Sequence, residues 1–225
     1  GQFLLGEGAK IVGNTSAPQG GQIGISATES ITIQDNSPTI QDNSQISSNS
    51  TVGKGASLEL SAPTILIDQS TLSARSAGTA DGGRITVHAT NGNLILDHGS
   101  VIASSTGGSG AGGPVEVTAS DSVLIAGGSR IESNSFSTSS GGAGSVTVRG
   151  ENLVALSGTG SRLLTEARGS GDGGNILVAA NQVQITDDAV ISTTSTGPGN
   201  AGNIEIDAGN LFTMTNSSVT TEATQ

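Results

Sequence analysis

The sequence predicts an all-β fold: a single-stranded parallel β-helix of about seven coils, each of about 30 residues with three short strands. Three observations carry this. First, a marker of the form G/A-G-x-I-x-V recurs at Gly20-Gly21-Gln22-Ile23, Gly82-Gly83-Arg84-Ile85, Gly112-Gly113-Pro114-Val115, Ala143-Gly144-Ser145-Val146, Gly173-Gly174-Asn175-Ile176 and Ala201-Gly202-Asn203-Ile204. A weaker copy is Gly55-Ala56-Ser57-Leu58. Second, short runs between the markers alternate apolar and polar residues, the period of a strand with one buried face. Third, the 225 residues include three Phe, no Trp or Tyr, and 35 Gly. A wide core is normally filled with aromatics, so this core is thin and aliphatic. Glycine is also scattered too densely for helices.

The elements follow in order. Phe3 and Leu5 read as the second strand of an entering coil and Ile11 as its third. Leu5 lies 6 residues before Ile11, and Ile11 lies 12 before Ile23. The first inward residues of the seven coils are Ile23, Leu58, Ile85, Val115, Val146, Ile176 and Ile204, at spacings of 35, 27, 30, 31, 30 and 28. Third-strand anchors are Ile46, Leu72, Ile102, Ile131, Leu163 and Ile191. Each precedes the next first anchor by 12 to 15 residues, so the glycine-rich turn is nearly constant in length. In coil three the strands read Ile85–Ala89, Leu94–Leu96 and Ser100–Ala103. In coil six they read Ile176–Ala180, Val183–Ile185 and Ala189–Ser192. The last coil closes with Leu211 to Met214 as its second strand and Val219 in its third. Coil one is long because Ile33-Gln34-Asp35-Asn36-Ser37 recurs as Ile40-Gln41-Asp42-Asn43-Ser44 around Pro38. A protruding loop is expected there. Residues 1–225 form one β-helix segment with no second domain. The pattern is already running at both ends without a polar cap, so the expected parent is a longer repeat protein.

Lys plus Arg number 8 and Asp plus Glu 19, a net charge of −11. No basic patch exists to follow a phosphate backbone, so nucleic acid is not an expected partner. No apolar run approaches the roughly 20 residues of a membrane helix, so membrane insertion is not expected either. Cysteine is absent, which removes thiolate chemistry.

The repeat phrases resemble the shaft repeats of filamentous-haemagglutinin-like exoproteins exported by two-partner secretion, most closely their cyanobacterial branch. The clearest run from Gly199-Asn200-Ala201-Gly202-Asn203-Ile204 through Glu205-Ile206-Asp207-Ala208-Gly209-Asn210-Leu211, and at Gly171-Asp172-Gly173-Gly174-Asn175-Ile176. The resemblance covers essentially the whole chain. It implies a right-handed β-helix, in line with the general crossover preference, exported through the outer membrane to the bacterial surface. The implied function is the structural shaft of an adhesin-type exoprotein. Its partners would be carbohydrate or a host or neighbour-cell surface, and flanking coils of its own parent chain. The family's secretion domain carries Asn-Pro-Asn motifs; no Asn-Pro occurs here, so its targeting residues have no counterpart in this chain.

Two further functions are weighed. A self-assembling surface filament would join open coil ends head to tail by strand addition. A carbohydrate-active β-helix enzyme, a lyase or hydrolase, would need carboxylates clustered on one outer face. Stacking the outward positions of strand one gives Gly24, Glu59, Thr86, Glu116, Thr147, Leu177 and Glu205, with no adjacent acids. The next column holds Ser26, Ser61, His88, Thr118, Arg149, Ala179 and Asp207, where His88 and Arg149 lie two coils apart. No catalytic residue is assigned. The best cluster is Asp68 with Asp97, at equivalent positions of adjacent coils after strand two, and Asp35 one position off. Stacked like charges call for relief, and Ca²⁺ suits such oxygen ligands. Asx turns pointing to water are the plainer expectation. No other cofactor is expected. His98, in the turn Asp97-His98-Gly99, is expected to be solvated. The runs Ser104-Ser105-Thr106, Ser133-Asn134-Ser135, Thr193–Thr196 and Thr220-Thr221 read as soluble surface turns after strand three whose hydroxyls satisfy local backbone groups. The flat Thr arrays of ice-binding solenoids are stricter than these. Asp81-Gly82-Gly83 and Gly171-Asp172-Gly173-Gly174 read as tight turns using positive φ.

Overall fold

The structure, a computed structural model, describes residues 1–18, 20–35, 43–136 and 140–224. It is an all-β solenoid of about 7 turns with about 29 residues per turn, and the described residues contain no helix. The duplicated segment of coil one falls largely on residues 36–42, outside the described residues.

The chain enters with β1 (Gln2–Leu5) and β2 (Lys10–Thr15). Coil one holds β3 (Gln22–Ser26), β4 (Ser30–Gln34) and β5 (Gln45–Ser50). Coil two holds β6 (Ser57–Ala62), β7 (Thr64–Asp68) and β8 (Thr71–Ser76). Coil three holds β9 (Ile85–Ala89), β10 (Leu94–Asp97) and β11 (Val101–Thr106). Coil four holds β12 (Val115–Ala119), β13 (Ser122–Ile125) and β14 (Arg130–Ser135). Coil five holds β15 (Val146–Gly150), β16 (Leu153–Ser157) and β17 (Arg162–Ala167). Coil six has only β18 (Ile176–Thr186) and β19 (Val190–Ser195). Coil seven has only β20 (Ile204–Thr215) and β21 (Ser218–Ala223).

Three strand segments per coil hold throughout, and the last two coils add a variation. There the first and second strands run together. Their junction in coil six is Ala179-Ala180-Asn181-Gln182, which has no Gly or Pro to break the extended backbone. The corner is made instead by a register shift opposite Ala180 and Gln182, where β20 carries one extra residue. Because of this fusion, first and second strands form one 13-stranded sheet, while third strands form a separate sheet of eight.

Every strand pairing is parallel, and the predicted register holds throughout. Ile23, Leu58, Ile85, Val115, Val146, Ile176 and Ile204 are successive partners. So are Ile11, Ile46, Leu72, Ile102, Ile131, Leu163, Ile191 and Val219. Phe3 and Leu5 stack on Ile31 and Ile33. The inward residues of all three strands merge into one continuous aliphatic core. Nearly every large inward-facing side chain in coils two to six is fully shielded. Each coil lends its neighbour both ladder hydrogen bonds and core contacts, so stability is shared between coils rather than held within one.

The hydroxyl runs are not surface turns. They lie within the third strands, and alternation turns their hydroxyls inward. Ser104, Thr106, Ser133, Ser135, Thr165, Thr193 and Ser195 are all buried. The column Ser104, Ser133, Thr165 and Thr193 is continuous through coils three to six. Its hydroxyls face the glycine-rich turn and donate to that turn's carbonyls: Ser104 to Gly83 at 2.7 Å, Ser133 to Gly113 at 2.7 Å, Thr165 to Gly174 at 2.6 Å and Thr193 to Gly202 at 2.9 Å. Ser104 and Ser133 also accept from the amides of Gly113 and Gly144. The turn leaves backbone groups without ladder partners inside the molecule, where an unmet polar group is costly. The sequence meets them with hydroxyls where a uniform apolar core would not.

The glycines of that turn also need a different explanation. None of the marker glycines has positive φ. What excludes a side chain at all of them but Gly21 is a neighbouring coil. A Cβ on Gly174 would overlap the carbonyl oxygen of Gly144, and one on Gly83 the carbonyl oxygen of Ala56. Glycine is selected by close stacking of coils, not by turn geometry.

Candidate functional site

The corner between strands two and three does use left-handed backbone. All the described non-glycine residues with positive φ lie here: Glu7, Gln69, His98, Asp187, Asp188 and Asn216. In coil three, His98 (φ 50°) and Gly99 (φ 74°) are the central pair, and the Ser100 amide donates to the Asp97 carbonyl at 3.2 Å. Two consecutive positive φ values are the type I′ pattern. Behind the corner runs a buried serine column of Ser44, Ser70, Ser100, Ser129 and Ser161. The Ser100 hydroxyl donates to the carbonyls of Asp97 at 2.7 Å and Ile67 at 2.9 Å. The Ser70 hydroxyl donates to that of Asp68 at 2.7 Å. These bonds lock each turn to its neighbour and fix what the turn displays.

What it displays is a carboxylate–imidazole–carboxylate cluster. Asp68 and Asp97 are direct partners across β7 and β10, as the spacing predicts. Gln34 occupies the equivalent position in coil one, so Asp35 is indeed one residue off. The sequence reading did not place His98 with them. Its Nδ1 lies 2.6 Å from Asp68 Oδ1 and 3.7 Å from Asp97 Oδ2. Its amide donates to Asp97 Oδ1 at 2.8 Å. The imidazole is 69% exposed, against 22% and 36% for the two carboxylates. Its pKa is raised above the ordinary 6.5, first by the hydrogen bond to Asp68, then by the charge of Asp68 and of Asp97; slight burial opposes this. His98 is solvated, as expected, but it is also ion-paired.

The two carboxylates favour the protonated form of the His98 imidazole. The arrangement is not a nucleophile relay. The two serines of the corner turn inward and donate to main-chain carbonyls, so neither is aligned with the imidazole. Among the described residues, no group of three or more His, Cys, Asp or Glu side chains is disposed to hold a metal ion. Asp68 and Asp97 are brought together, and the His98 imidazole lies within reach of both.

The face formed by the first strands shows the expected columns. Glu59 and Glu116 are separated by Thr86, and Glu116 lies 4.0 Å from Arg84. His88 and Arg149 flank Thr118, and His88 Nδ1 is 2.7 Å from Thr118 Oγ1. A shallow groove beside Arg149 gathers Glu151, Asn181 and Asp207 over a floor of Ala179 and Ala180. Column counting lines up Arg149, Ala179 and Asp207 on successive coils but does not reach Glu151 and Asn181. Glu151 lies in the first-to-second-strand corner, and Asp207 lies two coils above Arg149.

Among the described residues no helix is long and apolar enough to cross a membrane. Comparison with protein-family profiles, with curated proteins and with solved structures gives no match.

Proposed function

We propose that this chain is a length of structural shaft from a secreted bacterial cell-surface exoprotein of the adhesin type. The observation that carries the reading is the unbroken register. Three ladders continue through every coil while the glycines, serines and threonines serve inter-coil contacts. Such a chain gains length by adding coils and needs no chemistry of its own. Contacts with carbohydrate or with another cell surface would be made by outward side chains and turns, and flanking coils of the parent would continue the ladders. Immunogold labelling of this segment on intact producing cells tests it. Label at the outer surface is expected, and label confined to the cell interior would overturn it. Polysaccharide cleavage that disappears in Asp207→Asn or Asp68→Asn protein would overturn it in favour of a carbohydrate-active enzyme.

A second reading, the self-assembling filament, rests on a separate observation. The inward columns are the same from coil to coil: the one that holds Phe3 also holds Phe212, the one that holds Leu5 also holds Met214, and the one that holds Ile11 also holds Val219, so one copy's strands match another's. Sedimentation that shifts with concentration in the native chain, and not in Phe212→Lys protein, would favour it.

A further inference from the structure

We infer that Asn91 is a modification site, where a corner of coil three leaves an asparagine–glycine pair free to deamidate through a cyclic imide. Asn91 is the only asparagine followed by glycine. The pair lies between the first and second strands of coil three, in a corner longer than those on either side. Four residues separate Ala89 from Leu94, against two between their partners Ala62 and Ile65 and three between Ala119 and Val123. The neighbouring coils therefore cannot partner every residue of it. The amides of Thr90 and Asn91 donate to the carbonyls of Ala62 at 2.8 Å and Pro63 at 3.2 Å. The Gly92 amide has no acceptor among the described residues, although the Gly92 carbonyl accepts from the Asp121 amide at 3.2 Å. The Asn91 side chain is exposed and makes no hydrogen bond among the described residues.

The reaction needs only water. The Gly92 nitrogen, on losing its proton to solvent base, attacks Cγ of Asn91. The N–Cγ bond forms, the Cγ–Nδ2 bond breaks, and Nδ2 leaves as ammonia with the proton returned. Water then opens the five-membered imide. Opening at Cγ gives aspartate, and opening at the main-chain carbonyl gives isoaspartate, whose backbone runs through the former side chain. Either way one ammonia is lost, one water is gained and one negative charge is added. An amide already donating to a carbonyl is held back from such attack, and a side chain on the following residue crowds it; Gly92 has neither obstacle. A Cβ at position 92 would come 2.9 Å from Thr64 Cγ2, so the packing that favours glycine here also creates the reactive pair.

Two aspartate–glycine pairs serve as internal contrasts, since they close the same ring with loss of water. They are Asp81-Gly82 and Asp172-Gly173, and both are held in the stacked turns. The amides of Gly82 and Gly173 donate to the carbonyls of Ala111 and Asn200, each at 2.8 Å. Asp81 Oδ1 and Asp172 Oδ1 accept from the amides of Ala111 at 2.9 Å and Asn200 at 2.7 Å. The inference does not rest on the shaft reading.

The test is to incubate the intact chain at mildly alkaline pH and map its peptides by mass spectrometry, with enzymatic isoaspartyl methylation to count isoaspartate. Conversion at Asn91 is expected to run about tenfold or more ahead of any other asparagine, with Asp81 and Asp172 unchanged over the same period. Asn91→Gln keeps the amide but would have to close a six-membered ring, so the isoaspartyl signal should fall to background. In denaturant, Asp81 and Asp172 should begin to isomerise. An Asn91 that stays intact in the folded chain while it converts in denaturant would overturn the inference, and so would conversion no faster than at the other asparagines.

Discussion

At the residue scale, the small residues carry the specificity. A methyl on Gly174 would meet the main chain of Gly144, so Gly174→Ala should lower stability by about 1–3 kcal/mol, the range of core overpacking. Thr165→Val keeps shape and removes the donor to the Gly174 carbonyl. Leaving that buried acceptor unmet should cost about 1–3 kcal/mol. Denaturant melts of both variants check this. If Thr165→Val were neutral, the inward hydroxyl column would be filling space and no more. At this scale the sequence was only partly legible. Asp68 and Asp97 could be paired from spacing alone, because both lie in regular strands. His98 could not, because it sits in a turn with φ 50°, where strand alternation gives no direction. The Ser and Thr runs were misjudged for a related reason. Polarity implied solvent, yet the period-two rule, followed three residues further, would have put Ser104 and Thr106 inside with Ile102.

At the element scale, alternation decides which side of each strand is core. Leu96 is fully buried, while its neighbour Ile95 faces outward between Leu66 and Leu124. Leu96→Lys should therefore abolish cooperative folding of the adjoining coils, because it buries a charge in the ladder. Ile95→Lys should fold and cost far less. Circular dichroism melts of the pair give the answer, and equal damage from both would mean that the register is wrong. The strands themselves were legible because their anchors repeat at nearly constant distance from the glycine-rich turn. Their fusion in β18 and β20 was not. In β18 the junction has no breaker, and in β20 the strand runs on through Gly209, so punctuation in the sequence did not mark either case.

At the scale of the whole molecule, the claim is that length is a sum of coils. Parallel neighbours are spaced about 4.8 Å along the axis, so about seven turns make a body of about 34 Å. The cross-section should not depend on how many turns are present. A net charge of −11 spread over such a surface keeps it apart from other anionic surfaces and from its own copies at low salt. Raising ionic strength should therefore increase any end-to-end association, which light scattering against salt concentration would show.

The most direct measurement is small-angle X-ray scattering on a series with residues 85–114, one whole coil, repeated in tandem. A shaft built of interchangeable coils predicts that four added copies lengthen the particle by about 19 Å with the cross-sectional radius unchanged. A radius that grows with each copy, or a length that does not, would contradict it.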